Sequence, residues 1–82
     1  MYLKLFDKLE KRQYIFSGYD SNKTGFCSWT LSPDLARDIP ENDCRELVKF
    51  LILNGIYDTD RFKFEISNNR SVHGKFPFHK KY

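Results

Sequence analysis

The chain has one alanine, two cysteines, four glycines and no run approaching the ~20 consecutive apolar residues needed to cross a bilayer, so no membrane-spanning helix is expected. Its opening stretch, MYLKLFDKLEKRQ, places a charge every few positions and lacks the uninterrupted apolar segment of a secretory signal. A cytoplasmic protein is therefore expected, and in that compartment Cys27 and Cys44 are expected to be buried or half-buried free thiols rather than a disulfide. Together with His73 and His79 they supply zinc-ligand types. However, the chain has no C-x2-C or C-x4-C pair, and H-x5-H lies at the outer limit of finger spacing, so neither a metal nor another cofactor is expected. It also lacks GxGxxG, Walker A, GxSxG and HExxH patterns. Repeats, low-complexity tracts and linkers are missing too. A chain of 82 residues buries only about 60 to 65% of its unfolded surface and cannot divide that between two cores, which predicts one domain over residues 1–82.

What is present is aromatic and charged. Eight Phe, five Tyr and one Trp each offer roughly 150 to 250 Å² for burial, which offsets the small size. Phe, Tyr, Met, Ile, Asn and Lys, all encoded by A- and T-rich codons, dominate the composition, as in a phage or other mobile element. The net charge of +3 is unevenly spread: residues 1–33 sum to +2, residues 34–60 to −4 and residues 61–82 to +5. Such a distribution favours steering toward an anionic partner.

Along the chain, Tyr2, Leu5, Phe6 and Leu9 recur at helical spacing and predict a short first helix, with a strand through Leu3 and Leu5 as the alternative. Residues 13–31 predict a hairpin whose second strand turns Cys27, Trp29 and Leu31 to the core. Ser32-Pro33-Asp34 opens a short helix, with Ser as N-cap and Pro at the first helical position. Cys44, Leu47, Val48, Leu51 and Ile52 make the stripe of a main helix, with Asn42 as N-cap, Gly55 as its left-handed terminator and Ile56 folding back. Phe50 and Leu53 lie beside the stripe and are expected to be covered by another element of the core, with a partner or dimer patch as the alternative.

Residues 61–78 predict a second hairpin. A three-residue loop, Ser67-Asn68-Asn69, with Asn69 left-handed, pairs Phe64 with Val72, Lys63 with His73 and Arg61 with Lys75. The resulting fold class is α+β: a small antiparallel β-sheet of two hairpins packed on one main α-helix, with short accessory helices.

From about residue 30 to 78 the hydrophobic spacing resembles that of winged-helix domains. Leu35-Ala36 to Ile39 would be the second helix, residues 42–54 the third, and a wing hairpin would follow Gly55-Ile56. That resemblance implies nucleic-acid binding. Asp43 and Glu46 early in the third helix, and Phe50 and Leu53 along it, leave few polar readers there, so nucleic acid would meet the final hairpin and tail instead.

The function expected first is a non-enzymatic binding protein, an inhibitor or regulator that recognises an acidic protein or nucleoprotein complex. The expected contact residues are Arg61, Lys63, His73, Lys75, Lys80 and Lys81. Direct nucleic-acid binding by the same basic hairpin is the alternative. A small metal-independent ribonuclease, with His73 and His79 as acid and base beside those cations, comes third.

Overall fold

The stretch YLKLFD decides the architecture. In the computed structural model, which describes residues 1–20 and 27–71, it is not the expected helix but strand β1, Tyr2–Asp7. The other strands are β2, Arg12–Tyr19; β3, Cys27–Thr30; and β4, Phe62–Ser67. They form one antiparallel sheet in the order β3-β2-β1-β4. A central position explains why the strand wins over the helix. With neighbours on both sides, β1 buries residues on both faces, and Leu3, Lys4, Leu5 and Asp7 are all buried. A helical stripe would have excluded Leu3, which has no exposed surface, in favour of Leu9, which is 72% exposed in the turn that follows.

That turn is built by Asp7. Its Oδ1 accepts the backbone N–H groups of Leu9 at 3.0 Å and Glu10 at 3.2 Å, and Lys11 closes the loop at φ 56°. Between β2 and β3 the register shifts at Phe16/Gly18, and Gly18 takes φ 148°, as a bulge of this kind asks of a residue without a Cβ. The extended segment 36–39 then runs back along the sheet. Arg37 N donates to the Phe16 carbonyl at 2.9 Å and Ile39 N to the Met1 carbonyl at 2.9 Å. The winged-helix pattern is therefore not realised. Past a single 3-10 turn, Pro33–Leu35, no second helix forms before the main one, and β4 pairs with β1.

The main helix, α1, spans Glu41–Leu53. Its N-cap is Pro40 rather than the expected Asn42: the Pro40 carbonyl accepts the N–H of Cys44 at 3.1 Å, which starts the helix two residues earlier. Its end follows the sequence pattern. Gly55 adopts φ 65°, its N–H donates to the Ile52 carbonyl at 3.0 Å, and the N–H of Ile56 donates to the Leu51 carbonyl at 3.0 Å, while Ile56 packs against the core. A Cβ on Gly55 would meet nothing within 4 Å, so Gly55→Ala costs only the backbone strain, about 1 kcal/mol. The urea midpoint should fall with an unchanged m-value; a midpoint equal to that of the parent would show that the left-handed residue is dispensable.

Helix α1 covers what we call the inner face of the sheet. Cys44, Leu47 and Leu51 meet Leu3, Phe16, Cys27 and Ile39, with Trp29, Val48, Tyr57, Phe64 and Ile66 around them. Cys27 and Trp29 share this face as the sequence implied, but β3 ends at Thr30 and Leu31 is 43% exposed. Phe50 and Leu53 are not core residues: they are 41% and 77% exposed, because Cys44, Leu47 and Leu51 alone turn fully to the sheet. In β4 the alternation is realised, with Phe62, Phe64 and Ile66 half-buried and Lys63 and Glu65 exposed. The predicted partner strand and its pairings to Val72, His73 and Lys75 lie outside the described residues. Asn69 does not take the left-handed conformation, since Lys11 is the positive-φ residue among the described non-glycine positions. Its Oδ1 instead accepts the N–H of Ser71 at 2.9 Å. Among the described residues no helix is long and apolar enough to cross a membrane.

Candidate anion-binding face

The outer face of the sheet, turned away from α1, carries the residues that alternate with the core. The strand registers set Phe6 between Gln13 and Lys63, and Lys4 between Ile15 and Glu65. Ile15 is fully buried and Lys4 only 6% exposed, so this face has an apolar centre into which a lysine stem is packed. Just past β1, the N–H of Lys8 donates to the Arg61 carbonyl at 2.8 Å and ties the first turn to the approach to β4. A concavity of about 560 Å³ results, lined by Lys4, Phe6, Lys8, Gln13, Lys63, Phe64 and Glu65. Among the described residues none of its three lysines makes an ion pair, and the single carboxylate, Glu65, leaves the cleft with an excess of positive charge.

Arg61, expected beside Lys63, is spent inside the fold. Its Nε donates to Asp7 Oδ1 at 2.9 Å and its Nη2 to Asp7 Oδ2 at 2.8 Å, while Glu10 lies 4.0 Å away. Asp7 is 2% exposed yet sits shallowly near the rim of a small domain. The Arg61 guanidinium holds its carboxyl below the usual value, outweighing the upward push of burial, and the N–H groups of Glu10 and Leu9 add to the lowering. Asp7 in turn raises Arg61 above its ordinary value. The guanidinium carbon also lies 4.9 Å from the Phe62 ring centre.

Of the expected contact residues, then, Lys63 lies in the cleft and Arg61 lies in an internal pair. His73, Lys75, Lys80 and Lys81 lie outside the described residues, as does His79. Sequence reasoning missed Lys4 and Lys8. The signal was there at period two, where Lys4, Phe6 and Lys8 alternate with Leu3, Leu5 and Asp7, but it is invisible when the segment is read as a helix.

Two other features bear on chemistry. Cys27 and Cys44 are free and buried; burial pushes the Cys27 thiol up to about 11 and raises that of Cys44, so both stay protonated and poorly nucleophilic at neutral pH. A second groove, of about 400 Å³, runs between α1 and β4, with Val48, Phe64 and Ile66 on its floor and Arg45 and Lys49 at its rim. Arg45 is already paired with Glu41, one helical turn back, its Nε donating to Glu41 Oε2 at 3.2 Å. No family model, curated protein or solved structure matches this chain.

Proposed function

We propose that the chain is a non-enzymatic binding protein, an inhibitor or regulator, that holds an acidic protein segment against the outer face of its sheet. One observation carries this reading: Lys4, Lys8 and Lys63 surround a single concavity, none of them makes an ion pair among the described residues, and Glu65 is the one carboxylate set against the three. Lysines brought together without partners repel one another, a cost that an incoming carboxylate cluster removes. Buried free thiols at Cys27 and Cys44 suit a reducing compartment such as the cytoplasm.

Phe6 beside Lys63 on the same face favours a second reading, nucleic acid, by pairing a stacking ring with a phosphate contact. Glu65 within the cleft opposes a polyanion and ranks that reading second. Capture of the partner from the native host, with and without nuclease, separates the two. Lys63→Glu and Lys8→Glu, both on exposed positions, should each weaken a nuclease-resistant protein contact about tenfold or more, mainly through slower association at low salt. Capture that survives both reversals unchanged would remove the outer face from the account. Loss of all capture on nuclease treatment, with a steep salt dependence, would hand the function to nucleic acid.

A further inference from the structure

The cations of the outer cleft have an order that strand geometry sets. Lys4, Phe6 and Lys8 occupy every second position of β1 and its continuation, and Lys8 keeps the row because its N–H still donates across to the Arg61 carbonyl at 2.8 Å. At a rise of about 3.3 Å per residue, the Cα atoms of Lys4 and Lys8 stand about 13 Å apart, with Phe6 midway between them. Lys63 lies directly opposite Phe6 and is therefore diagonal to both lysines of the row, about 7 to 8 Å from each. One half-buried ring thus has a cation at each end of its row and a third at its side.

Lys4 adds a second, independent observation. It is 6% exposed, yet among the described residues no hydrogen bond or ion pair holds its ammonium, which is also not one of the polar atoms sealed from solvent. The stem is packed beside Ile15 and the charge reaches the cleft from a fixed position, so an arriving anion freezes little additional side-chain motion. Glu65 lies opposite Lys4 in the register but makes no ion pair with it. Three lysines against this one carboxylate leave two positive charges unmatched.

An extended segment laid along β1 turns every second side chain to the sheet and advances at the same rise. Its residues i and i+4 are then about 13 Å apart, the separation of Lys4 and Lys8, and residue i+2 falls over Phe6. In a helix the same two positions are only about 6 Å apart and span less than half the row. Resting on the reading of this face as the site for an acidic segment, we infer that the segment is extended and carries the pattern acid-x-apolar-x-acid. Its two carboxylates match the two surplus charges, its central side chain packs on Phe6, and Lys63 supports both ends. The pattern reads the same in either chain direction. Glu65 competes with the carboxylate at Lys4.

The full-length chain, labelled with nitrogen-15, is titrated with two capped peptides of one composition, acetyl-SESLSES-amide and acetyl-SLSESES-amide, and the amide shifts of residues 4–8 and 62–65 are followed. The first peptide should bind about threefold more tightly or better, and both should weaken with added salt. Glu65→Gln, at an exposed position, should tighten the first peptide about twofold or more. Lys4→Met, which keeps an unbranched apolar stem, should abolish the preference between the two peptides. Equal affinity of the two for the unsubstituted chain, with both lost in Lys63→Glu, would overturn the pattern and leave the acidic-segment reading standing. No shift at these amides with either peptide would overturn the pattern too, and capture from the host that still depends on Lys63 and Lys8 would then show that only the pattern had failed. The comparison on the unsubstituted chain and Glu65→Gln decide even if Lys4→Met does not fold.

Discussion

Phe16→Ala is expected to cost about 3 to 5 kcal/mol. That is a large share of the roughly 5 to 15 kcal/mol by which domains of this kind are stable. Phe16 has no exposed surface, and it joins the two halves of the inner face. Its ring meets Tyr19 edge-on at 5.1 Å and Trp29 at 6.0 Å, and it belongs to the cluster that α1 closes with Cys44, Leu47 and Leu51. Its backbone is occupied as well, because its carbonyl accepts the N–H of Arg37. Truncation therefore removes transfer energy and leaves a cavity walled by a rigid sheet on one side. Phe16→Leu should cost about 1 to 2 kcal/mol, since most of the volume is kept. Leu9→Ala and Leu35→Ala, at positions 72% and 63% exposed, should stay within about 0.5 kcal/mol of the parent. Urea unfolding read by circular dichroism and by Trp29 fluorescence measures all four. A Phe16→Ala loss below that of Phe16→Leu would place the core elsewhere.

Asp7→Asn is expected to lower stability by about 2 to 3 kcal/mol at neutral pH. Asparagine keeps an oxygen for the N–H groups of Leu9 and Glu10 but sets a neutral amide, one half of it a donor, against the guanidinium of Arg61. The loss falls short of that for a fully buried pair because the Arg61 side chain is 40% exposed and turns to water when released. The pH dependence has a definite sign. Arg61 first, then the backbone donors, hold the folded-state pKa of Asp7 below its ordinary 3.8. The unfolded chain therefore takes up the proton first as pH falls. The stabilisation is complete above pH ~4 and disappears as pH drops through the lowered folded value. Accordingly, the gap between parent and Asp7→Asn should be constant from pH 7 to about 5 and narrow below about 4. Midpoints of urea unfolding at pH 7, 5 and 3 test this, and a gap that stays constant to pH 3 would mean that the Asp7 charge is not what stabilises the fold.

The same pair shows why the expected contact set was only partly legible. Arg61 and Asp7 are 54 positions apart, and their ion pair exists because β1 and β4 are neighbours in the sheet. Nothing local to DRFKF distinguishes Arg61 from Lys63. The strand register does: Lys63 lies opposite Phe6 on the outer face, while Arg61 precedes the strand and reaches the carboxylate at the end of β1.

Short-range patterns were enough for several elements. The stripe of Cys44, Leu47, Val48, Leu51 and Ile52, stopped by Gly55 with Ile56 behind it, specified α1, because helix period and the left-handed terminator are properties of a few adjacent residues, although Ile52 at its edge is 39% exposed. Alternation through Phe62, Phe64 and Ile66 specified β4, and Pro33 the brief helical turn before α1, for the same reason. The first segment could not be settled this way. YLKLFD satisfies both a helical and an alternating reading, and the choice falls to backbone hydrogen bonds with β2 next in sequence and β4 more than fifty residues on. Those distant pairings made β1 central, buried Lys4, gathered Lys4, Lys8 and Lys63 round one cleft and left Phe50 and Leu53 outside the core. Dihedral preference and periodicity act over a turn or two of chain, whereas which charges remain unpaired depends on what lies across the sheet, and only the assembled tertiary structure sets that.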